Sequence, residues 1–334
     1  MLAPKFWYPE NNEKSFSSLA LIPFGHIYSL LSKLRMSKAV KKQFDIPIVC
    51  IGNLNAGGTG KTPTTISAAE FLRDRKYNVH IVSRGYGGNA MGPLSVNDTE
   101  HSADDVGDEA LMLSAFAPTW VATKRSDGIQ SAIKEGADII LLDDGFQDPS
   151  VYKDLSILTV NAKKGFGNNR CIPAGPLREK LSNGLERADV LISIGTETSQ
   201  RTFKSTYKSY INMPLGIANL EVLNTGLSLE NMKVLAFAGI AHPENFFDTL
   251  RAQGAEIVDY QALADHQKLS STIMKRLIVD ARAENAQLIT TEKDYMRLPK
   301  EFRSEVMTLP VRIKLNETLS WEKIFKPILS CQGK

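Results

Sequence analysis

The stretch NLNAGGTGKTP, Asn53 to Pro63, follows an apolar run over residues 46–51 (IPIVCI) and precedes a segment with helical spacing. A glycine-rich turn between a buried strand and a helix is a phosphate cradle. Its backbone N–H groups converge on phosphate oxygens, and the start of the helix favours negative charge. Against the general pattern G-x-x-x-x-G-K-[ST], Asn55 occupies the first glycine position ahead of Gly60, Lys61 and Thr62. Gly57, Gly58 and Gly60 let the backbone approach the phosphates, Lys61 places a point charge on the β/γ side, and the Thr62 hydroxyl suits magnesium. The expected nucleotide contacts are Asn55, Ala56, Gly57, Gly58, Thr59, Gly60, Lys61 and Thr62.

Outward from this loop, apolar runs and helical segments alternate. Strands are expected at 46–51, 79–83, 139–142, 157–160 and 190–194, with a helix after Lys61 and another over 108–115. Such alternation implies a parallel sheet covered by helices on both faces, an α/β fold of the P-loop NTPase-like kind. Short β-like pieces at 207–211 and 215–220 read as a linker. A smaller C-terminal α/β unit is expected from strands at 234–240, 256–260 and 288–291 and helices at 271–284 and 321–329. The expected organisation is therefore an N-terminal helix in 1–45, a P-loop domain in 46–202, a β linker in 203–231 and a C-terminal α/β domain in 232–334.

The run over 139–144 (IILLDD) ends an apolar strand in two carboxylates, which puts an acid beside the phosphate loop to hold magnesium directly or through water. Adjacent residues of a strand point to opposite sides, so one aspartate faces the metal while the other caps the following turn; Asp143 is favoured for the metal. Arg84 and Tyr86 follow the strand 79–83 at its carboxyl end, where ligands bind in open α/β sheets. Arg84 suits a phosphate through its planar fork, or alternatively an ion pair with Asp104 or Asp105. Lys124 and Arg125 are weaker phosphate candidates. Asp108, preceding an apolar periodic run, also reads as an ordinary helix N-cap.

The chain has 334 residues, is 43% hydrophobic and carries 40 Lys and Arg against 37 Asp and Glu, for a net charge of +3. That balance is too small for wholesale nucleic-acid binding. Three cysteines far apart, with no CxxC pair, argue against a disulfide framework and a zinc site. No cleavable signal is read at the N-terminus, so the expected location is the cytoplasm. Residues 16–36 carry Phe16, Ala20, Phe24, Ile27, Leu31 and Leu34 at helical spacing, followed by Lys33, Arg35, Lys38, Lys41 and Lys42. An apolar stripe bordered by basic residues suits an amphipathic helix lying on an anionic membrane, and equally a helix packed on its own domain. The run is interrupted by Pro23, Gly25 and His26, too short to span a bilayer.

With the phosphate loop, the segments Ser83-Arg84-Gly85-Tyr86, Val106-Gly107-Asp108-Glu109, Asp143-Asp144-Gly145-Phe146-Gln147, Gly165-Phe166-Gly167-Asn168, 173–179 (PAGPLRE), Asp265-His266 and Thr291-Glu292-Lys293-Asp294 occur in that order. On this ordered set the chain resembles the tetraacyldisaccharide 4'-kinases of lipid A biosynthesis over nearly its whole length. The resemblance implies transfer of the ATP γ-phosphate to the 4'-hydroxyl of an acylated glucosamine disaccharide 1-phosphate, giving lipid IVA. It also implies ATP and Mg2+ as cofactors and a monomer held peripherally on the cytoplasmic face of the inner membrane, with catalysis in a cleft between two α/β domains. It implies Asp108 and His266 as the catalytic pair, Thr62 and Asp143 as magnesium ligands, and Asn168, Arg178 and Glu179 on the substrate side, to which Arg84 and Tyr86 are added from their place in the sheet. Two departures stand beside the cleft: Asp148 and Gln267 replace residues that are commonly histidine, or at the second position also aromatic. A competing reading is a membrane-peripheral ATPase that moves or scaffolds a partner. Ala56, standing where partitioning ATPases carry a further lysine, and the Asp108–His266 pair both favour the kinase. Glu292-Lys293-Asp294 departs from the NKxD guanine reader, which argues against a GTPase.

Overall fold

The computed structural model describes residues 3–9, 15–224, 226, 228–240, 242–264 and 267–330. Its strands are β1 (Ile48–Gly52), β2 (Val79–Ser83), β3 (Leu94–Ser95), β4 (Thr119–Val121), β5 (Ile139–Asp143), β6 (Leu155–Asn161), β7 (Val190–Ile194), β8 (Leu215–Val222), β9 (Lys233–Ala238), β10 (Glu256–Ala262), β11 (Gln287–Thr291), β12 (Val306–Leu309) and β13 (Val311–Leu315). They form a large sheet in the order β13-β8-β7-β6-β1-β5-β2-β4-β3 and a small one in the order β10-β9-β11-β12. The large sheet is parallel from β8 through β4, with antiparallel edges at β3 and β13. The small sheet is parallel throughout.

The apolar runs explain this arrangement. Every residue of β1, β2, β5 and β7 is buried, as strands covered on both faces must be. Alternate side chains enter different cores. Val49 and Ile51 join Ile66, Leu72 and Phe325 on one face, while Ile48 and Cys50 join Ile129, Phe146 and Leu158 on the other. β1 lies between β5 and β6, so the phosphate loop leaves the sheet beside the carboxylates that end β5.

Two expectations about the chain's organisation differ from the structure. Residues 203–207, read as the start of a β linker, complete the helix Glu197–Tyr207, which Thr196 caps by accepting the Ser199 N–H. Phe203 and Tyr207, one helical turn apart, both pack on Phe166, and this tertiary contact overrides the β-branched and aromatic character of the segment. β8 then joins the large sheet rather than bridging two units. The chain also returns: after Pro310, β13 pairs with β8, and the helix Trp321–Leu329 puts Trp321, Ile324, Phe325 and Ile328 into the core of the large sheet. Residues 311–329 therefore pack with the phosphate-loop sheet, not with the small one.

The N-terminal helix forms as two pieces, Phe16–Ala20 and Ile22–Lys38. Its small residues face inward. Ser18, Gly25 and Ser29 are buried, whereas Phe16, Phe24, Ile27, Leu30, Leu31 and Leu34 are exposed. The Ser18 hydroxyl donates to the Ala174 carbonyl at 2.7 Å, and a Cβ on Gly25 would stand 2.9 Å from the Cys171 carbonyl oxygen. No helix among the described residues is long and apolar enough to cross a membrane.

Close backbone approach at Gly25 makes a direct prediction. Gly25→Leu is expected to lift the helix off the 171–174 loop, because the oxygen it would meet belongs to backbone that cannot swing aside. Limited proteolysis should then cut between residues 15 and 45 faster than in the parent chain, with the main melting transition nearly unchanged. Unaltered cleavage would show that the helix is held by other contacts.

Candidate functional site

The phosphate loop runs from Asn53 to Gly60 and leads into the helix Lys61–Asp74. Gly60, at φ 89°, is its N-cap, and Gly57 has φ 114° with open space where a Cβ would lie. Gly57 is therefore required by backbone conformation and not by crowding. Asn53 shapes the loop from within, donating to the Gly57 carbonyl at 3.2 Å and the Thr59 hydroxyl at 2.9 Å. The two residues at the start of the expected cradle point elsewhere. Asn55 donates to the Gly165 carbonyl at 3.0 Å and the Tyr8 hydroxyl at 3.3 Å, and the Ala56 N–H donates to the Pro176 carbonyl at 2.7 Å. These two anchor the loop to the 165–177 segment and are committed to structural contacts instead of the expected cradle.

The two carboxylates after β5 are divided. Asp143 is 1% exposed and accepts the Thr65 hydroxyl at 3.3 Å. Burial, with the negative charges of Glu109 and Asp144, pushes its carboxyl up to about 7 against the pull of Lys61 and Arg125. Asp144 adopts φ 50° and turns toward Lys61 at 3.8 Å and Arg178 at 2.8 Å. Burial opposes its ionisation, but Lys61 and Arg178 outweigh burial and hold its carboxyl below the usual carboxylate range. Asp144 is thus an ion-pair partner and not the turn cap expected from its position, and the strand alternation that separates adjacent side chains is the sequence signal for its separate environment.

A magnesium ion fits this donor set. Asp143 is a buried carboxylate whose neighbours include two other acids, and a divalent cation relieves that repulsion. Among the described residues no group of three or more His, Cys, Asp or Glu side chains could hold a metal alone.

Glu179, expected on the substrate side, lies under the loop: Arg187 donates to both of its oxygens at 2.6 Å, and Gln147 reaches it at 3.3 Å. Gln147 also donates to the Asn53 carbonyl at 2.8 Å. Arg178 is shared between Asp144 and the side-chain Oε1 of Gln147, which ties it to the phosphate loop. Asn168 is engaged structurally. Its amide donates to the Phe6 carbonyl, the Ser18 hydroxyl and the Ala174 carbonyl, and its oxygen accepts the Arg170 N–H. It clamps the N-terminal segment, a role that only the tertiary contacts reveal. Arg125 is likewise engaged: it pairs with Asp148 at 3.0 Å and donates to the Asp144 carbonyl at 2.8 Å, both largely buried. The departure at Asp148 thus has a partner, and Arg125 is not available to a phosphate.

Asp108 opens the helix Asp108–Ser114 and is 4% exposed. Gly107, at φ 85°, takes the N-cap position expected for Asp108. Asp108 Oδ1 accepts the Glu109 N–H at 2.9 Å, and Oδ2 lies 3.8 Å from Lys293 Nζ and 3.9 Å from Arg297 Nε. His266, with Asp265, lies outside the described residues. The flanking Ala264 and Gln267 are hydrogen-bonded to each other, and Arg297 donates to the Gln267 carbonyl at 3.3 Å. Tyr86 is 77% exposed, and its carbonyl oxygen crowds Gly107, next to Asp108. Arg84 is exposed with no ion pair among the described residues; Asp104 pairs with Lys268, and Asp105 accepts the N–H and hydroxyl of the N-cap Ser102.

A family model described as tetraacyldisaccharide-1-P 4'-kinase matches residues 17–329. The chain is 50% identical over 317 residues to the tetraacyldisaccharide 4'-kinase of Jannaschia sp. (strain CCS1), which covers 95% of this chain and 96% of that relative. It is 46% identical over 316 residues to the tetraacyldisaccharide 4'-kinase of Dinoroseobacter shibae, covering 94% of each. Among solved structures it is similar to LpxK from Aquifex aeolicus in complex with ATP, with a TM-score of 0.77 and 25% identity over 95% of this chain and 99% of that one.

The raised proton affinity of Asp143 has a measurable consequence. In the folded chain it keeps its proton up to about pH 7, and in the unfolded chain only to about 4. Between those values the folded state binds more protons, so this group's contribution to stability falls as pH rises through the window. Asp143→Asn cannot ionise and should remove that slope. In EDTA, the melting temperature of the variant relative to the parent is expected to climb by several degrees from about pH 5 to about pH 8. A difference that stays flat with pH would contradict a buried, protonated Asp143.

Proposed function

The chain belongs to the tetraacyldisaccharide-1-P 4'-kinase family, a kinase that phosphorylates the 4'-hydroxyl of tetraacyldisaccharide 1-phosphate with ATP in lipid A biosynthesis, and on that premise we propose how its residues carry out the transfer. Gly57 to Thr62 bind the phosphates, with Lys61 beside the β- and γ-oxygens. Thr62 and Asp143 would hold magnesium, which when bound neutralises charge on those oxygens. Asp108 accepts the proton of the 4'-hydroxyl as that oxygen attacks the γ-phosphorus and the bond to the β-phosphate oxygen breaks, releasing ADP. His266 supports Asp108, and Arg84 and Tyr86 face the acceptor. The observation that carries this reading is the position of Asp108: buried, next in the chain to Glu109, whose charge acts on Asp143, and 3.8 Å from Lys293 of the small unit. The two units we assign are 46–222 with 311–329, and 229–309. Residues of one chain supply both sides of the site, so the proposed working form is a monomer.

The same premise gives the N-terminal helix its role. Its large apolar side chains point outward beside exposed Lys33, Arg35, Lys38, Lys41 and Lys42, as a helix lying on an anionic lipid surface requires. We place the enzyme peripherally on the cytoplasmic face of the inner membrane, where the acceptor's acyl chains remain in the bilayer.

Two tests follow. Lys61→Ala should abolish nearly all product, read by mass spectrometry as one added phosphate on the disaccharide 1-phosphate with magnesium-ATP, while the melting temperature stays near that of the parent; turnover within a few-fold of the parent would refute the phosphate-loop assignment. Replacing both Phe24 and Leu31 with glutamate should release the protein from vesicles containing anionic lipid and raise KM for vesicle-borne acceptor more than KM for ATP. Sedimentation with vesicles equal to that of the parent would place the membrane contact elsewhere.

A further inference from the structure

Beyond the nearness of Lys293 to Asp108, the Thr291 to Asp294 segment is given no role in the transfer described above, yet it is built into the wall of the site. Thr291 caps the short helix Glu292–Met296, its hydroxyl accepting the Asp294 N–H at 3.1 Å and donating to Asp294 Oδ2 at 2.7 Å. Asp294 is fully buried and accepts the Gly239 N–H at 3.0 Å at the end of β9. Arg297, one turn on, pairs with Asp294 and donates to the carbonyls of Gly239 at 2.9 Å and Gln267 at 3.3 Å. This lattice fixes the short helix to the carboxyl end of the small sheet.

Two cations face Asp108 Oδ2 from this lattice: Arg297, whose Nε lies 3.9 Å away and whose guanidinium the lattice holds, and Lys293, whose side chain also reaches Glu109. Lys293 Nζ is 3.4 Å from Glu109 Oε1 and 3.8 Å from Asp108 Oδ2. Two adjacent carboxylates at a helix start repel each other, and a cation between them sets where each can sit. Asp108 Oδ1 is already tied to its own helix by the Glu109 N–H, so the orientation of the carboxylate about that bond is decided by what faces Oδ2. We infer that Lys293 is a positioning residue for phosphoryl transfer, by which the small unit orients the Asp108 carboxylate toward the acceptor hydroxyl. The inference rests on the assignment of Asp108 as the base.

Lys293 is partly exposed, so its substitution leaves the buried Asp294–Arg297 lattice in place. Lys293→Met is expected to lower kcat by about 10²-fold, the scale of a small misplacement of a reacting group, with KM for ATP and the melting temperature near parental values. Lys293→Arg should restore most of the rate. Because Lys293 acts through Asp108, Lys293→Met should cost almost nothing further in an Asp108→Asn background, measured with magnesium-ATP and the disaccharide 1-phosphate in detergent micelles. Loss of melting temperature with kcat intact would make Lys293 a merely structural contact and overturn the inference. If Asp108→Asn is slow but Lys293→Met costs the same factor in both backgrounds, the inference alone fails; if Asp108→Asn turns over like the parent, the base assignment fails and takes the inference with it.

Discussion

The site depends on how one pair of neighbouring carboxylates is divided. Asp143 and Asp144 would repel if they shared one environment, and the left-handed backbone at Asp144 sends them apart. Asp143 goes into the sheet, against Thr65 of the phosphate-loop helix. Asp144 goes to Lys61 and Arg178, so one carboxylate joins the phosphate loop to the segment 165–179. The carboxylate is only partly shielded from water, so the main effect of the pairing is geometric: it orders the side chains of three separate chain segments.

That division connects the nucleotide end of the molecule to its proposed lipid end. The segment 165–177 is paired with the phosphate loop through Ala56 and Asn55, and with the N-terminal segment through Asn168, Ser18 and the indole of Trp7, which donates to the Pro173 carbonyl at 3.0 Å. The N-terminal helix uses its small residues for this docking, since only small residues let two backbones approach closely. Its large apolar residues are left outward as a consequence. The inward-facing small stripe and the outward-facing apolar face are two results of a single packing choice.

On the other side of the cleft, the small sheet contributes charge instead of phosphate donors. Lys268 pairs with Asp104, Lys293 with Glu109 and Asp108, and Lys300 donates to the Thr99 carbonyl at 2.6 Å. All three reach the 99–109 region that leads into the Asp108 helix. The returning chain adds a covalent tether, because β12 belongs to the small sheet and β13, one residue later, to the large one.

Local features were legible from the sequence alone. The strand, glycine turn and helix around Gly60 are specified by residues within one short segment, and so are the buried parallel strands, whose apolar runs leave no polar face to offer solvent. The pairing of Asp108 with a histidine came from the resemblance, because an aspartate before an apolar run is on its own an ordinary helix start. Whatever depended on a partner far along the chain was not legible. Asn55 and Asn168 look like ligand contacts until Gly165, Phe6 and Ala174 are seen to use their amides. Arg125 looks free until Asp148 is beside it. Residues 311–329 look like part of the last unit until β13 is found against β8. The type and spacing of residues determined that a phosphate loop and an acidic strand would form. Which polar side chains remain for chemistry was decided by the tertiary structure, because a hydrogen-bonding group is available to a ligand only when no distant part of the chain has already satisfied it.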